Sequence, residues 1–125
     1  MISEKLRARG RSFRHAFDGI FCLWKEEPNT RIHLFFTVAA VFCGFFFRIS
    51  MTEWLAVILL VGGVWSAETF NSAIERCVDL TTTEKHPLAK AAKDLAAGAV
   101  LLLAFTSVVV GVIIFLPKFL ALFFI

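Results

Sequence analysis

Three stretches of this chain contain no Asp, Glu, Lys or Arg: Ile32–Phe47, Trp54–Ala67 and Leu95–Leu116. Nothing else in the sequence restricts the fold so tightly. A helix that crosses hydrocarbon needs roughly 20 apolar residues, because its backbone must be satisfied within the segment. The third run, at 22 residues, is long enough by itself. The first two have only 16 and 14. Arg31 and Arg48 can keep their charged heads in water at the ends of the first, and the second continues into a helix with a polar stripe. A chain that is 58% hydrophobic with 15 Phe is not an ordinary soluble domain. The expected fold is all-α and integral to a membrane, one unit over residues 1–125. Its membrane helices span 31–48, 54–80 and 87–117 with extensions beyond the bilayer, preceded by an amphipathic surface helix over 3–24.

Charge sets the orientation. Residues 1–31 carry seven Lys or Arg and residues 68–94 carry four, against only Arg48 and Lys118 elsewhere. With three spans the two rich regions share a side, which the positive-inside rule makes cytoplasmic. This predicts a multi-pass protein of the cell inner membrane. The opening MISEKLRARG has basic residues but no apolar core behind them, so no signal peptide is expected. Cys22, Cys43 and Cys77 are odd in number without a CxxC spacing and read as reduced thiols.

Within 3–24, Phe13, Phe17, Ile20, Phe21 and Trp24 recur at helical spacing, while Arg7, Arg11, Arg14 and Asp18 fill another arc. Such a helix suits a membrane interface, or a soluble cap on a bundle. Pro28 is expected to break the chain before the first span. Glu26 and Glu27 read first as a solvated pair, with one of them available to complete a metal site. His33 reads equally as a packed interfacial ring or a functional one. Arg48–Glu53 is a tight turn, Gly62-Gly63 permits a close helix approach or a kink, and Pro117-Lys118 is expected to end the third span.

The chemistry is concentrated in ETFNSAIERCVDL, Glu68 to Leu80. At 100° per residue, Glu68, Asn71, Ser72, Glu75 and Asp79 fall on one narrow helix face. Ionisable groups leaving an apolar span are expensive and functional by default. A row of carboxylates repels itself unless a cation or donor sits among them. The face therefore reads as a divalent-metal and proton-transfer site. After a short loop at Thr81–Lys85, Pro87 fits the first turn of a new helix, on which Lys90, Lys93, Asp94 and Ala97 share a face. The two lysines serve either as positive-inside anchors or as ligands for an anion such as phosphate. No GxxxxGK[ST] loop and no GxGxxG is present, so nucleotide chemistry has to use side chains on helices.

With these residues in view, the chain resembles the small prokaryotic diacylglycerol kinase family of membrane lipid kinases, and its undecaprenol kinase branch in particular. The matching text is ExxNxxIExxVD (Glu68, Asn71, Ile74, Glu75, Val78, Asp79), HPLAKAAKDLAAGAV from His86 to Val100, and E-x-N-x-R-I-H from Glu27 to His33. The resemblance implies a homotrimer with active sites shared between subunits at the membrane–cytosol boundary. It implies Glu68 as general base and Glu27 and Glu75 as Mg2+ ligands. It also implies an ATP site comprising Glu27, Asn71, Glu75, Glu84, Lys85, His86, Lys93 and Asp94. Which of Arg7, Arg9 and Arg11 touches nucleotide is left open.

The function expected from residues and resemblance together is ATP- and Mg2+-dependent phosphorylation of a lipid alcohol. Undecaprenol is the expected substrate and diacylglycerol the runner-up, with no nucleic-acid partner. Two rivals follow from the residues alone: a proton-coupled transporter that uses the carboxylates as a relay, and a non-catalytic scaffold subunit. Against the transporter, the carboxylates cluster at one end of the spans. Against the scaffold, it leaves the acidic stripe and the lysine pair without a purpose.

Overall fold

The computed structural model describes residues 2–123, which form four helices: α1 (Ile2–Glu26), α2 (Asn29–Phe46), α3 (Met51–Thr81) and α4 (Pro87–Phe123). The last three are each long and apolar enough to cross a membrane. Most of their large side chains point outward, among them Phe35, Phe42, Phe45, Leu59, Leu102 and Phe105. That arrangement is stable only where the solvent is itself apolar.

Each junction has a local cause. Pro28 has no amide hydrogen and restricts its predecessor, so α1 ends at Glu26. The bend is held by Leu23, whose carbonyl accepts from the Glu27 amide at 3.1 Å and from Thr30 Oγ1 at 3.2 Å. Leu23 and Thr30 are both buried there. Helix α2 ends in a Schellman motif: Ile49 N donates to Gly44 O at 3.1 Å and Arg48 N to Phe45 O at 3.2 Å. Arg48 takes the left-handed position, φ 50°, that glycine usually fills.

Ser50 and Glu53 then form a capping box at the start of α3, with Ser50 N donating to Glu53 Oε2 at 2.7 Å and Glu53 N to Ser50 Oγ at 3.2 Å. The other Glu53 oxygen accepts from Lys118 Nζ at 2.5 Å, which ties the start of α3 to the end of α4. Helix α3 continues through Thr81, leaving residues 82–86 as the loop.

The expected stop at Pro117 does not occur, and α4 runs through it to Phe123. Proline removes the hydrogen bond to the carbonyl four residues back, yet neighbouring packing and side-chain donors can absorb that loss. Here Phe47 packs edge-on against Phe119 at 4.7 Å, and Lys118 Nζ reaches the Ile114 carbonyl at 3.2 Å, next to the Ile113 carbonyl that Pro117 leaves without an amide donor.

Helices α3 and α4 make the most extensive pairing. Gly63 lies on that seam, where an added Cβ would stand 3.3 Å from Leu103; Gly62 faces open space. The pair of glycines therefore allows close approach, and α3 remains one uninterrupted helix. At the α2–α3 turn an apolar cluster gathers Ile49, Val57 and Ile114, flanked by Phe47, Trp54 and Phe115. Glu68 and Ser72 are buried well away from it, about 26 Å or more along α3 from Met51. The molecule thus has an apolar end at the turn and a polar interior toward the α3–α4 loop.

Candidate active site

Glu68 is only 5% exposed, one of the few buried polar residues among those described. A buried carboxylate without a donor is costly. Its partner is His33 on α2, with Nε2 2.6 Å from Glu68 Oε1. The side chains are 17% and 7% exposed respectively, so the contact is largely shielded from solvent. His33 is the residue whose role sequence spacing left undecided, and the structure sets it against Glu68. The available signal was a lone imidazole in one charge-free run and a lone carboxylate at the edge of the next.

His33 is held in turn. Thr37 Oγ1 donates back to the His33 carbonyl at 2.8 Å and accepts from Trp65 Nε1 at 3.1 Å. Trp65 stacks on Trp24 of α1, with centroids 5.8 Å apart and planes 13° from parallel. A continuous chain of contacts therefore links the first helix to Glu68 through α3 and α2.

One turn further along α3, Asn71 Nδ2 donates to Glu75 Oε1 at 3.1 Å. Asn71 Oδ1 and Ser72 Oγ are buried without a partner. Orphaned oxygens of this kind call for a ligand, an ion or water. Beside them, Arg76 gathers α1: NH1 donates to Cys22 Sγ and NH2 to Glu26 Oε2, each at 3.1 Å, and Glu27 Oε1 lies 3.7 Å away. Arg76 was not singled out by the sequence, because its partners lie some fifty residues earlier on another helix.

The third tier lies near the loop. Lys93 Nζ donates to Asp79 Oδ1 at 2.6 Å across α3 and α4, and Lys90 pairs with Asp94 within α4. His86 Nδ1 accepts from the Leu88 amide at 3.2 Å, and Glu84 N donates to Thr82 Oγ1 at 3.1 Å. Glu84, Lys85 and His86 are exposed. A groove of about 390 Å³ between the two helix ends is lined by Val78, Thr81, Thr82, His86, Leu88 and Ala92, among others.

The sequence-selected residues thus separate into three levels: Glu68 with His33; Asn71, Glu75 and the Arg76–Glu27 contact; and Asp79, Lys93, Asp94 and the loop. Among the described residues, no three His, Cys, Asp or Glu side chains converge on one point as a ready metal cage. Magnesium does not require such a cage. It is held through one or two carboxylates together with substrate phosphates. Glu27 and Glu75 offer hard oxygen donors, and the unpartnered Asn71 Oδ1 lies a turn from Glu75. The donor chemistry at this level fits the ion.

Residues 14–115 match the family described as prokaryotic diacylglycerol kinase. The chain is 48% identical to the undecaprenol kinase of Bacillus subtilis over 108 residues, covering 86% of this chain and 88% of that protein. It is 39% identical to a diacylglycerol kinase of Synechocystis over 112 residues, 89% of this chain but 64% of that longer protein. It is 35% identical to a diacylglycerol kinase of Helicobacter pylori over 104 residues, 81% of each. With the match covering most of its length, the chain belongs to the prokaryotic diacylglycerol kinase family, a family of lipid kinases.

Proposed function

We propose that the protein is an ATP- and Mg2+-dependent kinase that converts undecaprenol to undecaprenyl phosphate at the cytoplasmic leaflet of the inner membrane. Diacylglycerol is the alternative substrate. The observation that carries this reading is the burial of Glu68 where the apolar part of α3 gives way to its polar stripe. An alcohol whose tail stays in lipid meets a carboxylate there, while nucleotide phosphates approach from the loop side. The identity to an undecaprenol kinase supports the first substrate, and the diacylglycerol kinases among the relatives support the second.

Phosphoryl transfer needs positioning, charge neutralisation and an acceptor for the hydroxyl proton. Glu68 takes that proton as the hydroxyl oxygen bonds to the γ-phosphorus and the bond to the β–γ bridging oxygen breaks, releasing ADP. Lys93 leaves Asp79 to meet the phosphates, and Glu84, Lys85, His86 and Asp94 line the nucleotide's approach. Asn71 orients Glu75. Glu27 and Glu75 hold Mg2+, which when bound neutralises phosphate charge. The subunits form a homotrimer, with α1 lying in the membrane interface on its exposed Phe13, Phe17 and Phe21.

The test is to offer the purified protein labelled ATP with undecaprenol and diacylglycerol in parallel and compare initial rates. Faster labelling of undecaprenol is expected, and faster labelling of diacylglycerol would reverse the substrate order. Glu68→Gln should lower kcat by about 10³-fold while insertion and assembly persist, within the range for loss of a general base. Glu75→Gln should raise the Mg2+ concentration needed for half-maximal rate and weaken direct Mn2+ binding. Unchanged metal dependence would remove Glu75 as a ligand.

A further inference from the structure

We infer that His33 is a positioning residue for proton abstraction: it donates Nε2–H to Glu68 Oε1 and leaves Oε2 as the oxygen that takes the alcohol proton. The inference rests on the reading of Glu68 as the base. A carboxylate that acts as the base has no proton to give, so on that reading the 2.6 Å contact places the hydrogen on the imidazole nitrogen. Among the described residues, no other donor is hydrogen-bonded to the Glu68 carboxylate.

A carboxylate with one fixed oxygen presents the other in a defined direction, as positioned catalysis requires. Without the imidazole, Glu68 would rotate about its terminal torsions inside a poorly solvated site. The bonds from Thr37 and Trp65 brace the α2 backbone at His33, and from there the ring reaches across to Glu68 on α3. An ordinary structural tie between α2 and α3 would affect assembly and leave turnover per assembled enzyme unchanged. A positioning role lowers kcat specifically.

The experiment compares His33→Leu, His33→Gln, His33→Asn, Glu68→Gln and the double variant His33→Leu/Glu68→Gln. Each full-length protein is purified into vesicles, with kcat and KM measured for ATP and undecaprenol. His33→Leu should lower kcat by about 10²-fold with KM for both substrates within about threefold, the loss expected for one preorganised donor. Gln can place an amide N–H close to where Nε2 stood and should recover to within about tenfold of the parent. Asn, one methylene shorter, should not. The double variant should be no slower than Glu68→Gln, because the two residues act as one unit.

If His33→Leu fails to assemble, the Gln and Asn pair carries the same contrast. Equal kcat for Gln and Asn, or a loss confined to KM, overturns the inference. An inactive Glu68→Gln beside fully active His33 variants removes His33 alone. An active Glu68→Gln removes the base itself, and this inference with it.

Discussion

Lys93 and Asp79 form a pair across α3 and α4 that bears on the nucleotide role proposed for the lysine. Their bond is short, at 2.6 Å, but the side chains are 37% and 65% exposed. An ion pair so open to solvent contributes about 0–1 kcal/mol to stability, because screening and side-chain entropy offset most of the attraction. The pairing therefore holds the lysine in place without committing it there. Lys93→Ala should lower kcat/KM for ATP by more than about tenfold, the loss of a charge-assisted phosphate contact. Its thermal unfolding midpoint should move by no more than about 2–4 °C. Parallel kinetics and a melting curve in the same detergent check both halves. A large drop in stability with unchanged ATP dependence would reassign Lys93 to holding the helices together. Glu53 differs from this pattern. Its ion pair with Lys118 is about a quarter exposed on each side and continuous with a capping box, so it belongs to the scaffold.

Among the elements, the α2–α3 hairpin is the most specified. Gly44 is buried where Trp54 crosses it: a Cβ there would stand 2.6 and 2.8 Å from two ring atoms and 3.2 Å from Ile49. Phe45 packs on the same indole at 4.9 Å, which limits the ring's room to retreat. Gly44→Ala should therefore destabilise the fold by about 1–3 kcal/mol, the usual cost of overpacking. Gly63→Ala, facing a flexible Leu103 at 3.3 Å, should cost less. Denaturant titration of both variants tests the order, and an equal or reversed ranking would show that the indole moves freely. Arg76 plays the corresponding part for α1, which otherwise touches α2 and α3 sparingly. Arg76→Ala should raise proteolytic cleavage around Cys22–Glu27 several-fold while the three apolar helices stay intact, as expected where local opening depends on few contacts. The apolar helices were legible because charge-free runs admit little else. Their ends were less so. Pro117 carries a strong local stop signal, but Phe47 and Lys118 supply support from packing that a one-dimensional pattern does not contain.

For the whole molecule, the acidic stripe was readable because helical periodicity orders residues around one axis. Periodicity carries no information about which face of one helix meets which face of another. His33 with Glu68, Arg76 with Glu26, and Lys93 with Asp79 are all pairings between helices, and none follows from spacing. The same limit applies one level up, to contacts between chains. Glu68 and Glu75 lie about 10 Å apart along α3, seven residues at helical rise. Glu27 stands across from them on the α1–α2 bend, turned toward Arg76. The outer faces of α2, α3 and α4 remain apolar, which leaves room for other copies to bring residues alongside. If sites are shared between the subunits of a trimer, two inactive variants should rescue each other. Co-expressing Glu68→Gln with Glu27→Gln should restore activity to roughly a quarter of the sites under random mixing, because a neighbour can then supply the missing carboxylate. Each variant alone should stay inactive. Co-expression of Glu68→Gln with Lys93→Ala tests whether the nucleotide side is also supplied across the interface. Absence of rescue in both pairs, with mixed trimers demonstrated by differential tags, would mean that each subunit holds its whole site and that the interface only assembles them.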